Sequence, residues 1–202
     1  MRQGTKGKIL NAARELFSRF GYDGCKVDLI AETAAVNKAS IYYHYKDKAS
    51  LYEKVFEEDL GDFLIRIRKA IARQESPGKA LQAYVYTFSE NFQSNRFMAP
   101  LMLRELAADG KHLSAGSKKA VNNIIKELDR ILRDGVQAGE FKNTKTLIIH
   151  IMIVGSMNIF MSTKSMRKNF ENPEKTYGAS LTPKQAAAEI ASVVLNGLKP
   201  AN

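Results

Sequence analysis

The chain has 202 residues, 45% of them hydrophobic, which is enough for one or two domains with an apolar core. Its net charge of +10 suits a polyanionic partner, although residues 1–50 carry only nine Lys and Arg against five Asp and Glu. A single cysteine, Cys25, excludes an intrachain disulfide and argues against a structural zinc site, so we expect no cofactor.

No stretch predicts export or membrane insertion. The N-terminal segment, MRQGTKGKIL, lacks the apolar core of a signal peptide. The longest apolar stretch, 147–161, is interrupted by His150, Ser156 and Asn158. We therefore expect a soluble, cytoplasmic protein that has no membrane partner.

The first predicted helix covers residues 5–20, with apolar side chains at helical spacing, and Gly21 ends it. Two short helical patterns follow at 27–34 and 38–45. Asn37 between them is a good N-cap for the second, and Ala35 lies where the turn needs a positive φ. Two short helices joined by a tight turn are typical of a helix-turn-helix, whose second helix enters the DNA major groove.

The outward face of this second helix carries cationic and hydrogen-bonding side chains and almost no acid. We expect Lys38 and Tyr42 to contact base edges, because lysine can donate to guanine and a tyrosine ring can contact a thymine methyl. The other candidate DNA-binding residues, mostly contacts to phosphate, are Ser40, Tyr43, His44, Lys48, Lys26, Lys46 and Ala39.

Residues 8–56 resemble the TetR family of bacterial transcription regulators. The resemblance rests on Ile9 to Phe17, Gly21-Tyr22, Val27 to Ala34 and Asn37 to Tyr45. The chain departs from the family pattern at Ala35, where glycine is usual, and at Cys25-Lys26, where the family has hydroxyl side chains. Membership implies an all-α fold, with an N-terminal three-helix helix-turn-helix domain joined to a larger helical ligand-binding and dimerisation domain.

The rest of the chain also reads as helical. We place the DNA-binding domain at 1–48 and the effector-binding and dimerisation domain at 49–202, and we expect the polar stretch 167–180 to be a surface loop. The predicted helices are 49–73, 78–94, 96–108, 115–138, 144–168 and 182–198. The first of these would transmit effector binding to the DNA-binding domain.

Large, soft side chains recur on several of these helices. They could line the effector pocket that the resemblance implies, or they could simply form a close-packed core. The candidate pocket residues are Phe63, Tyr84, Phe88, Phe92, Met98, Met102, Met152 and Phe160.

The last two predicted helices are apolar over much of their surface. Either they are buried within one chain, or they form the two-fold four-helix interface of a homodimer, as the resemblance implies. The candidate interface residues are Ile151, Gly155, Ile159, Ala187, Ile190, Ala191, Val194 and Leu198.

The sequence therefore predicts a ligand-responsive homodimeric regulator, a repressor that a small apolar effector releases from a palindromic double-stranded operator. No phosphate-binding loop, metal-ligand spacing or nucleophile with a partner histidine indicates an enzyme. The alternatives are a helical sensor or adaptor that binds DNA without sequence preference, or an enzyme that uses the helical cavity.

Overall fold

The computed structural model describes residues 4–169 and 178–200, and every regular element in these two ranges is a helix. The predicted all-α fold is thus confirmed. The helices are α1 (Thr5–Gly24), α2 (Val27–Thr33), α3 (Lys38–His44), α4 (Lys48–Ile71), α5 (Pro77–Ser94), α6 (Met98–Ala107), α7 (Ala115–Gln137), α8 (Thr146–Ser162), α9 (Lys164–Arg167) and α10 (Pro183–Leu198).

The chain folds into two compact units. The first contains Met1–Asp62 and Phe97–Val121, and the second contains Phe63–Arg96 and Asn122–Asn202. This division differs from the boundary predicted after Lys48, because helix α4 begins in the first unit and ends in the second. Helix α6 belongs with the first unit although it is distant in sequence.

In the first unit, α2, α3 and α6 pack against α1. The buried stripe of α1 includes Ile9, Ala13 and Phe17, in agreement with the apolar spacing of the sequence. Gly21 has a φ of +70°, which breaks the helical path near the predicted end of α1.

The turn between α2 and α3 has the predicted geometry. Asn37 is the N-cap of α3, and its side-chain oxygen accepts a hydrogen bond from the Ser40 amide at 2.7 Å. Ala35 has a φ of +52°, a left-handed conformation in which Cβ crowds the backbone. The amide of Val36 donates to the Ala31 carbonyl at 3.0 Å, which closes the end of α2.

Replacement of Ala35 with glycine is expected to raise the free energy of unfolding by about 0.5–1 kcal/mol, because glycine adopts this positive φ without a steric penalty. Urea denaturation followed by circular dichroism measures the change. The matched control is Ala39→Gly on the exposed face of α3, which should lower stability by about the same amount. A lower denaturation midpoint for Ala35→Gly would contradict the assignment of strain.

In the second unit, α10 packs against α5 and α8. Helix α5 begins with Pro77 after the N-cap Ser76, whose hydroxyl oxygen accepts from the Lys79 amide at 3.2 Å. Helix α10 begins with a capping box between Thr182 and Gln185. Both helices have a proline in the first turn, where its missing amide hydrogen is not needed for an intrahelical bond.

The single helix predicted at 144–168 is divided in the structure. Helix α8 ends at Ser162, where the Thr163 hydroxyl donates to the Ile159 carbonyl at 2.6 Å and the Arg167 guanidinium donates to the Phe160 carbonyl. The Ile159 carbonyl also accepts from the Thr163 amide at 3.0 Å, so the hydroxyl is a second donor to it, and the Arg167 side chain supplies a donor to a terminal carbonyl of α8. The loop predicted at 167–180 lies mostly outside the described residues.

Candidate nucleic-acid interface

Helix α3 is fixed by one side chain and displays its opposite face. Ile41 is fully buried, whereas the side chains of Tyr42 and Tyr43 are 46% and 85% exposed. Helix α3 packs on α1 and α2, so the buried isoleucine determines which face points outward. Burial of large aromatic side chains is the usual outcome, so two exposed tyrosines on one short helix indicate a binding surface.

The remaining candidates on and around α3 also reach solvent. Tyr43 contacts the ring of His44 edge-on, with centroids 5.1 Å apart. The Ser40 hydroxyl donates to the Asn37 side-chain oxygen at 2.7 Å. Lys26, Lys38, Ala39 and Lys46 are exposed, and Ser40, His44 and Lys48 are half-buried.

Lys38 is paired within the protein. Its Nζ lies 2.8 Å from Oδ1 of Asp28 on helix α2, and the hydrogen bond to Asp28 raises the pKa of Lys38. Both side chains are largely exposed, so the pair contributes little to stability. To donate to a base or a phosphate, the ammonium group must share or leave this carboxylate.

Replacement of Asp28 with asparagine is expected to strengthen DNA binding a few-fold at low salt, because it frees Lys38 and removes an anion beside the DNA-facing helix. Fluorescence anisotropy of a labelled duplex at two salt concentrations measures the change. Glu32→Gln, at another exposed acid of α2, removes the same charge without freeing Lys38 and is the matched control. Equal effects of the two substitutions would show that the ion pair does not restrain Lys38.

Lys48 is the first residue of α4, and its Nζ lies 4.5 Å from the ring centroid of Tyr22. This cation–π contact fixes the position of the lysine side chain at the start of α4. Asp47 caps α4 by accepting from the Ser50 amide at 2.7 Å, and this hydrogen bond lowers the pKa of Asp47. Asp47 is therefore an anion within the basic segment, and it has a structural role.

Sequence reasoning did not select Asp28 or Tyr22, which set the positions of Lys38 and Lys48. Asp28 is ten residues from Lys38, on a different helix, and Tyr22 is separated from Lys48 by both short helices. No local spacing rule connects side chains across two turns, so the sequence contains no signal that could have identified these contacts.

Four of the candidate effector-pocket residues come together in the second unit. Phe88 contacts Phe63 edge-on with centroids 4.6 Å apart, and it also contacts Tyr84 at 5.1 Å and Phe92 at 6.3 Å. All four side chains are buried. We call this set the aromatic cluster, and its close ring contacts are typical of a packed core as well as of a pocket wall.

A polar pair lies beside the aromatic cluster. The Tyr84 hydroxyl is 3.2 Å from Nδ1 of His150 and 3.4 Å from the Ile124 carbonyl oxygen. Burial lowers the pKa of His150 to about 4, so its imidazole is neutral near pH 7 and can accept a hydrogen bond from Tyr84. Tyr84 and His150 are therefore polar groups within an otherwise apolar region.

The other pocket candidates are scattered. Met152 is exposed, and Phe160 is half-buried with the Arg167 guanidinium 3.8 Å from its ring centroid. Met98 is buried and Met102 is half-buried, and both belong to the first unit. Their assignment to a pocket stays a prediction.

Two surface clefts of about 230 and 300 Å³ lie in the second unit, and no candidate pocket residue lines either. Within the described residues, no group of three or more His, Cys, Asp or Glu could hold a metal ion. No helix in the same part of the chain has the length and apolar character needed to cross a bilayer.

The interface candidates divide into two groups. On α8, Ile151 and Ile159 are exposed and Gly155 is half-buried, and on α10 Ile190 is half-buried. The remaining four are buried on α10, which packs against α5 and α8, and their assignment to an interface stays a prediction: Ala187, Ala191, Val194 and Leu198.

Comparison with known proteins places this geometry among bacterial regulators. Residues 9–55 match the family model of bacterial regulatory proteins of the tetR family, and residues 77–192 match the tetracycline repressor-like C-terminal domain. The chain is 26% identical over 210 residues to the HTH-type transcriptional regulator RutR of Escherichia coli K12, covering 96% of this chain and 91% of that one.

Two further matches come from Bacillus subtilis. The fatty acid metabolism regulator protein of strain 168 is 25% identical over 157 residues, covering 77% of this chain and 81% of that one. A crystal structure of the transcriptional regulator FadR in complex with stearoyl-CoA has a TM-score of 0.73 and 21% identity, covering 95% of this chain and 98% of that one. The latter likeness concerns the fold.

Proposed function

Because this chain belongs to the TetR family of bacterial regulatory proteins and is a DNA-binding transcriptional regulator, we propose that it is a homodimeric repressor released from its operator by a small apolar effector. The observation that supports the proposal most is the outward face of α3. Buried Ile41 anchors the helix, and exposed Tyr42 and Tyr43 have no structural reason to face solvent.

On DNA, α3 occupies the major groove. Lys38 and Tyr42 read base edges, the lysine by donating to guanine and the ring by contact with a thymine methyl. Phosphate contacts determine register without reading sequence. Their candidates are Ser40, Tyr43, His44, Lys48, Lys26 and Lys46, and Ala39 permits close approach of the backbone.

The homodimer forms through the exposed apolar face of α8. Leu147, Ile148, Ile151 and Ile159 are each 55% or 56% exposed on this helix, and Val193 of α10 is 63% exposed. We call these five residues the apolar face. A second copy that covers this surface forms a two-fold dimer. Its two α3 helices then lie about 34–36 Å apart, one for each half-site of a palindromic operator.

The effector binds in the second unit, beside the aromatic cluster, with Tyr84 and His150 as its polar contacts. This unit carries 17 Lys and Arg against 9 Asp and Glu, hence a net +8 of the total +10. Such a surplus narrows the proposed apolar effector to a molecule that carries an anionic head group on its apolar body. A long-chain acyl-CoA has this chemistry, and it is the ligand in the B. subtilis FadR structure.

Effector release follows from differential affinity. The ligand prefers the subunit arrangement in which the two α3 helices are wrongly spaced for the operator, so ligand binding weakens operator binding. By linkage, operator binding weakens ligand binding by the same factor. Helix α4 is the element that transmits this change, because it begins beside the DNA-binding helices and continues into the second unit. The protein acts in the bacterial cytoplasm, where its operator is.

Binding-site selection from genomic fragments tests the proposal, followed by titration of the selected duplex with and without stearoyl-CoA. We expect a palindromic site and a reduction of operator affinity by the acyl-CoA. Binding that is steep in salt but indifferent to sequence would contradict the operator proposal and favour a non-specific adaptor. Stearyl alcohol, which has the apolar chain without a charge, and free coenzyme A, which has the anionic head without the chain, are the controls that separate the two parts.

A further inference from the structure

A buried carboxylate lies in the first unit, on helix α6. Glu105 is 2% exposed, and its Oε1 accepts a hydrogen bond from the Tyr52 hydroxyl at 2.5 Å and lies 3.0 Å from Nδ1 of His112. Its other oxygen, Oε2, is buried without a hydrogen-bond partner among the described residues. A buried carboxylate of this kind needs a nearby positive charge.

His112 lies between two carboxylates. Its Nδ1 faces Glu105, and its Nε2 is 3.4 Å from Oδ2 of Asp23. Lys111 Nζ also lies 3.2 Å from this Asp23 oxygen, and its hydrogen bond lowers the pKa of Asp23. Because each ring nitrogen faces a carboxylate oxygen, only the imidazolium form, with an N–H on both nitrogens, can donate to both.

The imidazole ring also contacts the aromatic side chains that support the DNA-binding surface. Its centroid is 4.5 Å from the ring of Tyr22, which packs against Tyr52 at 5.0 Å. The Tyr22 ring is the one that lies under Lys48 Nζ, at the start of α4 and four residues after the recognition helix ends. His112 and Lys48 therefore both contact the ring of Tyr22.

The cation next to Glu105 in sequence, Arg104, is directed elsewhere. The Arg104 guanidinium donates to the Ser18 carbonyl at 2.9 Å and to the Arg19 carbonyl, both near the end of α1. This arrangement ties α6 to α1 through main-chain atoms. His112 is the residue whose ring nitrogen faces the Glu105 carboxylate.

We propose that His112 and Glu105 are positioning residues for the DNA-binding surface, and that operator affinity falls when His112 loses its proton. In the imidazolium state the two carboxylate contacts hold His112 against Tyr22, which fixes Lys48 and the start of α4 beside the recognition helix. In the neutral state one of these contacts is lost, and the recognition helix is less well ordered before it meets DNA. The inference rests on the operator binding proposed above.

Other ionisable side chains affect how the pH dependence of operator affinity is interpreted. His44 of α3 is the other histidine of the first unit, and a loss of positive charge near DNA changes affinity in the same direction. Burial lowers the pKa of His150 to about 4, so it stays neutral near pH 7. Burial raises the pKa values of Tyr22 and Tyr52, which therefore stay protonated.

The test uses the selected operator and protein that carries His44→Gln, so that His112 is the remaining histidine of the first unit. Its operator affinity is expected to be about tenfold lower at the alkaline end of a pH profile than at the acidic end. Adding His112→Gln should remove most of this dependence and leave the weaker affinity at both pH values. Glu105→Gln, which keeps an acceptor for Tyr52, should also flatten the profile.

The expected result is thus a pH profile that both substitutions flatten while circular dichroism and the oligomeric state stay unchanged. If the buried variants do not fold, Asp23→Asn alters only the exposed carboxylate, and it should reduce the dependence. A profile that none of these substitutions changes, or an operator affinity independent of pH in the His44→Gln protein, would overturn the positioning role alone. Absence of sequence-specific binding at every pH would overturn the operator function as well.

Discussion

Replacement of Ile151 with lysine is expected to convert the protein into a monomer and to abolish measurable operator binding. Ile151 is 56% exposed, on the apolar face of α8. An ammonium group buried without a partner costs several kcal/mol, and two-fold symmetry places two of them in one interface, so dimer affinity falls on the order of a thousandfold or more. A monomer then reads only one half-site.

Sedimentation velocity at micromolar concentration and anisotropy with the selected operator measure the two effects. The matched control is Ile65→Lys, because Ile65 is another exposed isoleucine of the second unit but lies on α4, outside the apolar face. We expect the control to stay dimeric and to bind the operator. A dimeric Ile151→Lys protein, or a monomeric wild type, would show that the apolar face is not the interface.

Replacement of Tyr42 with alanine is expected to reduce discrimination between operator and random DNA by about 10- to 100-fold for each half-site, because a base-edge contact contributes about 1–3 kcal/mol. Tyr42 lies next to buried Ile41 and keeps about half of its surface in contact with the protein. Its ring is thus held in place before DNA arrives. The loss should be concentrated at one base position of each half-site.

The comparison variant is Tyr43→Ala. Tyr43 is 85% exposed and is a candidate phosphate contact, so its loss should weaken operator and random DNA about equally. Anisotropy titrations with the operator, single-base operator variants and a random duplex distinguish the two patterns. If Tyr42→Ala loses affinity uniformly and Tyr43→Ala loses it at one base, the two roles are exchanged.

The helices of this protein could be predicted from sequence because their signals are local. Apolar side chains at helical spacing, the cap Asn37 and the break at Gly21 each act within a few residues of the chain. The positive φ of Ala35 was also predictable, because the short turn between two packed helices demands it whatever residue is present. The division of the last long pattern into α8 and α9 was missed, since side chains beyond its end bond the terminal carbonyls.

The candidate site was only partly predictable. An outward, acid-poor face on α3 follows from the position of Ile41, and so do the candidate contacts around Tyr42. The pairing of Lys38 with Asp28 joins different helices, and the Glu105–His112 pair docks α6 and the following turn against α1 and α4. Spacing along the chain contains no information about such contacts.

The sequence also could not decide whether the apolar residues of α10 belong to the core or to an interface. Its small and branched side chains are equally suitable for a core and for an interface, and their spacing is the same in both cases. Only packing against α5 and α8 decided that Ala187 and Ala191 are internal, while Ile151 of α8 stays exposed.

By itself, the sequence determined the helical class, the helix-turn-helix and its outward face, because apolar periodicity and capping act over distances of a few residues. The tertiary structure alone decided three further points. They are the grouping of α6 with the DNA-binding helices, the partner of each buried charge, and the apolar surface that stays uncovered. Each depends on which distant segments meet in space, and that is a property of packing between elements.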